Sequence, residues 1–258
     1  MRSGLATPNA RATALRILPL IELAADRETD GASMAVLCAR ARTPFGPLAA
    51  IGVPVSRVAQ VRALLAGSQV GVATTVGSTA GSAASVAAAT AAAVAAGANE
   101  IDLTYPHAAL LAGDRTAGSA ILAACRAACR QADRPRTLLK VIIETGRLAA
   151  APLIRLAAEQ AIAAGADILV TASGTLEPGA SFADTALLIE AIAAARAARH
   201  WVGLGVGGRV AGLAGAQRHL ALAEPQLGAE FLSPATFRIA APALLDEVAR
   251  ALGTARSG

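Results

Sequence analysis

Short apolar runs alternate with longer alanine-rich segments along most of this 258-residue chain. The runs are rich in Val, Ile, Leu and Thr, which favour strands, whereas the alanine-rich segments stop at glycines such as Gly97 and Gly165. Alanine is the strongest helix former, and glycine is the usual residue just past a helix end. The alternation therefore predicts βαβ units, which build a parallel sheet.

Counting the alternating segments gives eight strands with helices between them. The strands are predicted at residues 17–23, 49–53, 70–77, 100–104, 138–144, 167–171, 201–206 and 230–232, and the main helices at residues 56–67, 82–96, 118–131, 151–164, 184–198, 212–223 and 240–252. Eight strands favour closure into an α/β TIM (β/α)8 barrel. An open doubly wound sheet is the alternative, but no G-x-G-x-x-G loop follows the first strand.

No linker or change of composition divides the chain, so we expect one domain over residues 1–258, with residues 1–12 as a flexible N-terminal segment. Apolar residues make up 55% of the chain and aromatic residues only 2%, so small aliphatic side chains must fill the core. We expect a monomer or a homodimer.

The charge and cysteine content limit the function classes. The net charge is +5, but 22 of the 23 basic residues are scattered arginines, so we expect no nucleic-acid partner. A general preference for Arg over Lys would explain most of them, although a phosphorylated metabolite would also suit a basic chain. Three cysteines without metal-ligand spacing predict a reducing cytoplasm and no metal. No run predicts a signal peptide or a membrane span.

Active sites of such barrels lie at the carboxyl ends of the strands, so polar residues there are the candidates. They are Glu22, Asp102, Lys140, Glu144, Thr171, Ser173, Gly207 and Gly208. Because strand side chains alternate, Asp102 and Lys140 point away from the face of their apolar neighbours. The pattern predicts an inward-facing ion network of Glu22, Asp102 and Lys140.

Lys140 is the only lysine in the chain, and three interpretations stay open for it. We favour an interior ion pair with Asp102, Glu22 or Glu144, since a buried charge needs a partner. The others are a reactive amine and a ligand contact without a covalent bond. For Asp102, ion pairing and ligand contact remain equally open.

The three histidines are weaker candidates. His107 follows the fourth strand and could reach the barrel mouth, but we favour a solvated loop position. His200 and His219 are interpreted as ordinary helix-end and helix-face residues.

Several runs resemble the deoxyribose-phosphate aldolase family across nearly the whole chain, above all EIDLTYPHAALLAGD and LLKVIIETG, together with LRILPLIEL and AIAAGADILVTASG. The resemblance implies an eight-fold βα barrel that splits 2-deoxyribose-5-phosphate into glyceraldehyde-3-phosphate and acetaldehyde. It implies a lysine Schiff base as the intermediate, with no metal or other cofactor.

Position by position, the resemblance assigns roles to five residues. Asp102 matches the aspartate that assists proton transfer, Lys140 matches a supporting lysine, and Glu22 stands where aspartate is usual. The Schiff-base lysine is matched by Val170, and a second lysine that lowers its pKa is matched by Leu204. The resemblance therefore implies a barrel without the standard Schiff-base chemistry.

The resemblance also implies a phosphate site at the loops after strands six, seven and eight. Gly174, Gly207 and Gly208 remain there, whereas Ala241 and Pro242 stand where hydroxyl residues are usual. Arg209, after the glycine pair, is either a displaced family arginine or a surface residue.

Thr171 and Ser173 lie in the loop after strand six. We expect them either to bind a hydroxyl or phosphate of a ligand, or to cap the loop.

Three functions follow as hypotheses. The first is a non-catalytic relative that binds a small phosphorylated sugar, an aldehyde or a partner. The second is an enzyme of altered reaction that uses Asp102, Lys140 and Glu22. The third is the family's own reaction, with Lys140 as a relocated Schiff-base lysine.

Overall fold

A computed structural model of the chain describes residues 8–25, 29–77, 81–130, 136–208, 210–241 and 243–253. The strands are β1 (Ile21–Ala24), β2 (Arg42–Thr43), β3 (Gly46–Pro47), β4 (Ala50–Gly52), β5 (Gly71–Val76), β6 (Glu100–Thr104), β7 (Leu138–Ile142), β8 (Ile168–Val170), β9 (Gly203–Gly207) and β10 (Phe237–Ala240). The helices are α1 (Pro8–Ile17), α2 (Gly31–Arg40), α3 (Val58–Leu64), α4 (Ala83–Ala95), α5 (His107–Leu111), α6 (Ala117–Ala128), α7 (Thr145–Leu148), α8 (Ala151–Ala163), α9 (Phe182–Ala197), α10 (Gly212–Leu227) and α11 (Leu244–Leu252).

Eight parallel strands close into a barrel. Their order around it is β1, β4, β5, β6, β7, β8, β9 and β10, and β10 pairs with β1 to complete the ring. The remaining strands, β2 and β3, form a separate antiparallel pair. The predicted (β/α)8 barrel is confirmed, and the open sheet is excluded.

Side chains on the strands alternate between the barrel interior and the core beneath the helices, as strand geometry requires. On β6, Ile101 and Leu103 are fully buried in the hydrophobic core. Asp102 lies between them on the opposite face, and Lys140 is its partner in the register between β6 and β7. The predicted inward placement of Asp102 and Lys140 is confirmed.

Helix ends follow the signals in the sequence. The Ser82 hydroxyl accepts the Ser85 N–H at 3.2 Å and begins α4, while Gly97, with φ of 101°, follows its last turn. Gly165, with φ of 85°, does the same after α8. These two helices were predicted to within one residue at each end.

The eighth strand was predicted in the wrong place. Residues 229–231 form a single turn of 3-10 helix, and the barrel strand is β10, six residues further on. The apolar signal at Phe231 reflects packing in the core and not a place in the sheet. Its ring packs edge-on against Phe237, at 6.3 Å between ring centroids.

The first strand also needs correction. Helix α1 begins at Pro8 within the segment expected to be flexible, and its Ala14 and Ile17 are fully buried. Residues 18–20 form a 3-10 turn, so β1 starts only at Ile21. Residues 1–7 lie outside the described part of the chain.

Candidate functional site in the barrel interior

Lys140 lies at the centre of a charged cluster inside the barrel. Its Nζ is 2.8 Å from Glu22 Oε1 on β1. On β6 it is 2.9 Å from Glu100 Oε2 and 3.0 Å from Asp102 Oδ1. Only 1% of the lysine side chain is exposed. The predicted contacts of Lys140 to Glu22 and Asp102 are confirmed.

A second cation, Arg238 on β10, completes the charged cluster of Glu22, Glu100, Asp102, Lys140 and Arg238. Its Nη1 is 2.8 Å from Glu22 Oε1, and its Nη2 is 2.8 Å from Glu100 Oε1. Glu100 therefore bridges the two cations. Neither Glu100 nor Arg238 was among the residues predicted from the sequence. Glu100 could have been found, because it alternates in phase with Asp102 on the same strand.

The cluster contains three carboxyl groups and two cations, and Asp102 is the least well paired of the three acids. Asp102 Oδ1 is 3.0 Å from the lysine nitrogen, yet it accepts no hydrogen bond from any described group. Burial raises the pKa of Asp102 to about 6; Lys140 opposes that rise, and Glu22 and Glu100 add to it. With 17% of its side chain exposed, Asp102 can exchange a proton near neutral pH.

Lys140 has the opposite character. Burial alone would lower its pKa, but the carboxylates of Asp102, Glu100 and Glu22 outweigh burial and raise it well above the usual lysine value. The three carboxylates therefore keep Lys140 protonated. A protonated amine has no free electron pair and cannot attack a carbonyl.

The interior wall next to the cluster is apolar at Val170. In the strand register Val170 pairs with Ile142 on one side and Gly205 on the other. A Cβ on Gly205 would come 2.9 Å from a Val170 methyl, so the valine already occupies that space. Leu204 points the other way, into the core beneath the helices, and is fully buried. A lysine at position 204 would therefore point away from the interior; the inward position is Gly205.

Three predicted ligand residues hydrogen-bond to protein groups. The Thr171 hydroxyl donates to Gly207 O at 3.1 Å and accepts from Gly207 N at 3.0 Å. Ser173 N donates to Glu144 Oε1 at 3.1 Å. Glu144 thus contacts the loop after β8 rather than Lys140. The amides of Gly207 and Ser173, which were expected to bind a phosphate, therefore already donate to protein groups.

The two remaining predicted glycines bring neighbouring loops together. Gly174 and Gly208 have φ of 82° and 89°, and a Cβ on Gly174 would lie 3.5 Å from Gly208 Cα. Ala241, which follows β10, is buried. Arg209 and Pro242 lie outside the described residues, so their predicted roles stay predictions.

His107 is not the solvated loop residue that we favoured. It is the first residue of α5 and is 96% buried, with its Nδ1 3.2 Å from Tyr105 O. Pro106 precedes it as the N-cap residue of α5.

Within the described residues, no group of three or more His, Cys, Asp and Glu side chains is arranged to hold a metal ion. None of the helices described here is both long and apolar enough to cross a membrane.

Comparison with known proteins agrees with the barrel and its sequence runs. No family model matches the chain. A deoxyribose-phosphate aldolase of Agrobacterium fabrum is 37% identical over 246 residues, which cover 94% of this chain and 92% of that protein. The chain belongs to the deoxyribose-phosphate aldolase family.

Solved structures support the family fold. A Toxoplasma gondii protein assigned as a deoxyribose-phosphate aldolase superposes with a TM-score of 0.84 at 20% identity, covering 98% of this chain and 100% of that one. The deoxyribose phosphate aldolase of Aeropyrum pernix, described as a tetramer, gives a TM-score of 0.68 at 15% identity and covers 97% and 99% of the two chains. At these identities the likeness concerns the fold.

Proposed function

We propose that this member of the deoxyribose-phosphate aldolase family binds a small phosphorylated sugar or aldehyde in its barrel but forms no Schiff base. The observation that carries the proposal is the position of Lys140. The only lysine of the chain lies within 3.0 Å of three carboxylates and is almost fully buried.

The standard aldol cleavage of the family needs a neutral amine, which attacks a carbonyl and then accepts the electron pair of the breaking carbon–carbon bond as an iminium. Lys140 is held as a cation by Glu22, Glu100 and Asp102. Val170 and Gly205, the inward-facing pair on β8 and β9, carry no amine. Lys140 then serves to hold the three carboxyl groups together, which is the structural interpretation favoured from the sequence.

A second candidate function is proton transfer next to a carbonyl group, with Asp102 as the acid or base. The pKa of about 6 and the partial exposure of Asp102 favour it, because a general acid or base works best when its pKa lies near the operating pH. In this reaction Asp102 removes a proton from the carbon beside the carbonyl and returns it, while Lys140, itself paired with Glu22, holds the carboxyl group in place.

The decisive assay for the first proposal follows cleavage and binding of 2-deoxyribose-5-phosphate with the same purified protein. We expect saturable binding by NMR titration, and release of glyceraldehyde-3-phosphate no faster than in protein-free buffer. Turnover at the rate of an ordinary enzyme, about 1 s⁻¹ or more, would refute the loss of aldolase chemistry. Absence of binding would refute the proposed ligand class.

The second candidate is tested by proton exchange in D2O. If Asp102 transfers protons, the protein will speed loss of the methyl proton signal of acetaldehyde or of the carbon-bound proton signals of dihydroxyacetone phosphate, and Asp102→Asn will abolish the effect. Equal exchange with and without protein would eliminate this function for these compounds.

Cell compartment and assembly are also proposals. The three cysteines are free and buried, which favours a reducing cytoplasm. We propose a homodimer as the assembly; light scattering after gel filtration distinguishes it from a monomer or from the tetramer described for the Aeropyrum pernix protein.

A further inference from the structure

A cavity outside the barrel wall lies between α9 and α10, beside the carboxyl end of β9. Its volume is about 110 Å³, and its wall includes Ser181, Phe182, Thr185, Val206, Arg218 and His219. A cavity holds a water once its volume on this measure reaches about 10 to 15 Å³. This cavity is therefore large enough for a phosphate group.

The polar side of the cavity favours an anion. Arg218 is the only charged side chain among the described residues that line it. Ser181 and Thr185 add hydroxyl groups at the start of α9, where the Ser181 hydroxyl accepts from Asp184 N at 3.1 Å and the Thr185 hydroxyl donates to Ser181 O at 3.4 Å. Asp184, the nearest carboxylate on α9, does not line the cavity: its Oδ2 accepts from Ser181 N at 2.8 Å and from the Thr145 hydroxyl at 3.2 Å.

An unpaired ring nitrogen of His219 is a second, independent observation that points to a ligand. The residue is 92% buried and lies in the cavity wall, and its Nδ1 has no hydrogen-bond partner among the described groups. Buried polar atoms are nearly always hydrogen-bonded, so an unpaired ring nitrogen calls for an explanation. Burial, with Arg218 as a smaller cause, lowers the pKa of His219 to about 4, so the ring is neutral and can donate one hydrogen bond.

Three side chains of the wall pack on one another. The Arg218 guanidinium lies 4.9 Å from the centroid of the Phe182 ring, and the Phe182 and His219 rings are 5.1 Å apart. The cation and the histidine therefore lie on the same aromatic ring, beside the cavity.

We propose that this cavity binds a small tetrahedral oxyanion, either free phosphate or the phosphate of a monoester, with Arg218 as its counter-charge and His219 as a hydrogen-bond donor. The cavity adjoins the site predicted at the loops after β8 and β9, because Gly207 is also on its wall, but α9 and α10 supply its polar side chains. It does not depend on the reaction proposed above, so either proposal can fail alone.

The test is an NMR titration of the 15N-labelled protein with sodium phosphate at constant ionic strength, repeated with glycerol 3-phosphate. We expect saturable shifts at Ser181, Phe182 and the His219 ring. Saturation by phosphate alone would assign a free-ion site, and tighter binding of the ester would assign a monoester site; both support the proposal.

Two variants and one control make the test specific. Loss of a hydrogen bond to a charged group weakens binding about ten-fold or more, so Arg218→Gln should do so. Arg130→Gln, an exposed arginine elsewhere, should change nothing. His219→Phe keeps the ring contact to Phe182, so it should weaken binding several-fold without lowering the melting temperature.

Three results would overturn the proposal. They are shifts that never saturate and match those caused by chloride, saturable binding unaffected by Arg218→Gln, and shifts confined to Gly174 and Gly208.

Discussion

The chemistry of a lysine depends on the charges around it, and Lys140 illustrates the extreme case. Three carboxyl groups within 3.0 Å compensate for its burial and stabilise the cation. The cluster has three carboxyl groups but only two cations. Asp102 is the carboxyl group with the raised pKa and the greatest exposure. At this scale the interior favours proton exchange at Asp102 and disfavours attack by Lys140.

Asp102 should make the protein less stable as the pH rises. Its pKa is about 6 in the folded chain and 3.8 for an ordinary aspartate, so between these values the folded state binds more protons than the unfolded state. The free energy of unfolding should therefore fall between about pH 4 and pH 7, by an amount on the order of 1 to 3 kcal/mol.

Asp102→Asn should remove this contribution to the pH dependence, as measured by urea unfolding at pH 4.5 and pH 7.5. Asp246→Asn is the matched control, because Asp246 is an exposed aspartate paired with Arg40. If the free energy of unfolding of Asp102→Asn changes with pH as much as that of the wild-type protein, Asp102 is not the group that holds the proton.

Val170 should be the position where an amine restores Schiff-base chemistry. A lysine there would face the barrel interior, in register with Gly205, and burial in that apolar wall lowers the pKa of an amine. We expect Val170→Lys to form an iminium with acetaldehyde that borohydride traps, and Val170→Met, the control of similar length, to form none. A folded Val170→Lys variant without the adduct would contradict the placement of position 170.

At the scale of elements, the cluster joins strands that are distant in sequence. Glu22 lies on β1, Glu100 and Asp102 on β6, Lys140 on β7 and Arg238 on β10. Arg238 is separated from Glu100 by 138 residues and from Glu22 by 216. Each strand brings one or two charges that would be unfavourable alone, and closure of the barrel pairs them.

This separation explains which parts could be predicted. Strand β6 was predicted at its observed bounds because Ile101 and Leu103 alternate with charged residues, and α4 because Ser82 and Gly97 mark its ends. These signals are local. The strand β10 was missed because Arg238 argues against a buried strand until its distant partners are known, whereas Phe231 and Leu232 present a plausible apolar run.

Arg238 should therefore contribute more to stability than an exposed arginine with a similar partner. Removing one member of a buried ion pair costs about 3 to 5 kcal/mol, whereas an exposed pair contributes less than about 1 kcal/mol. We expect Arg238→Met to lower the free energy of unfolding by the larger amount.

Arg136→Met is the control, since Arg136 is 68% exposed and pairs with Asp167. Both variants are measured by urea unfolding at pH 7. Equal small losses would mean that the pairs of Arg238 do not stabilise the barrel.

For the whole molecule, stability and binding chemistry depend on the same interior. The ring closes through only two register pairs between β1 and β10, Ile21 with Ile239 and Glu22 with Ala240. Helix α1 packs on α11 across this seam, and Arg238 bonds Glu22 just inside it. In a barrel built this way, Lys140 can be essential for folding while it takes no covalent part in any reaction.

The central claim, that Lys140 forms no Schiff base, is tested most directly by borohydride trapping. The wild-type protein is treated with acetaldehyde and sodium borohydride, and the peptide that contains Lys140 is analysed by mass spectrometry, with Val170→Lys as the comparison. We predict an unmodified Lys140 in the wild-type protein. An ethyl group on its Nζ, formed under native conditions, would contradict the account.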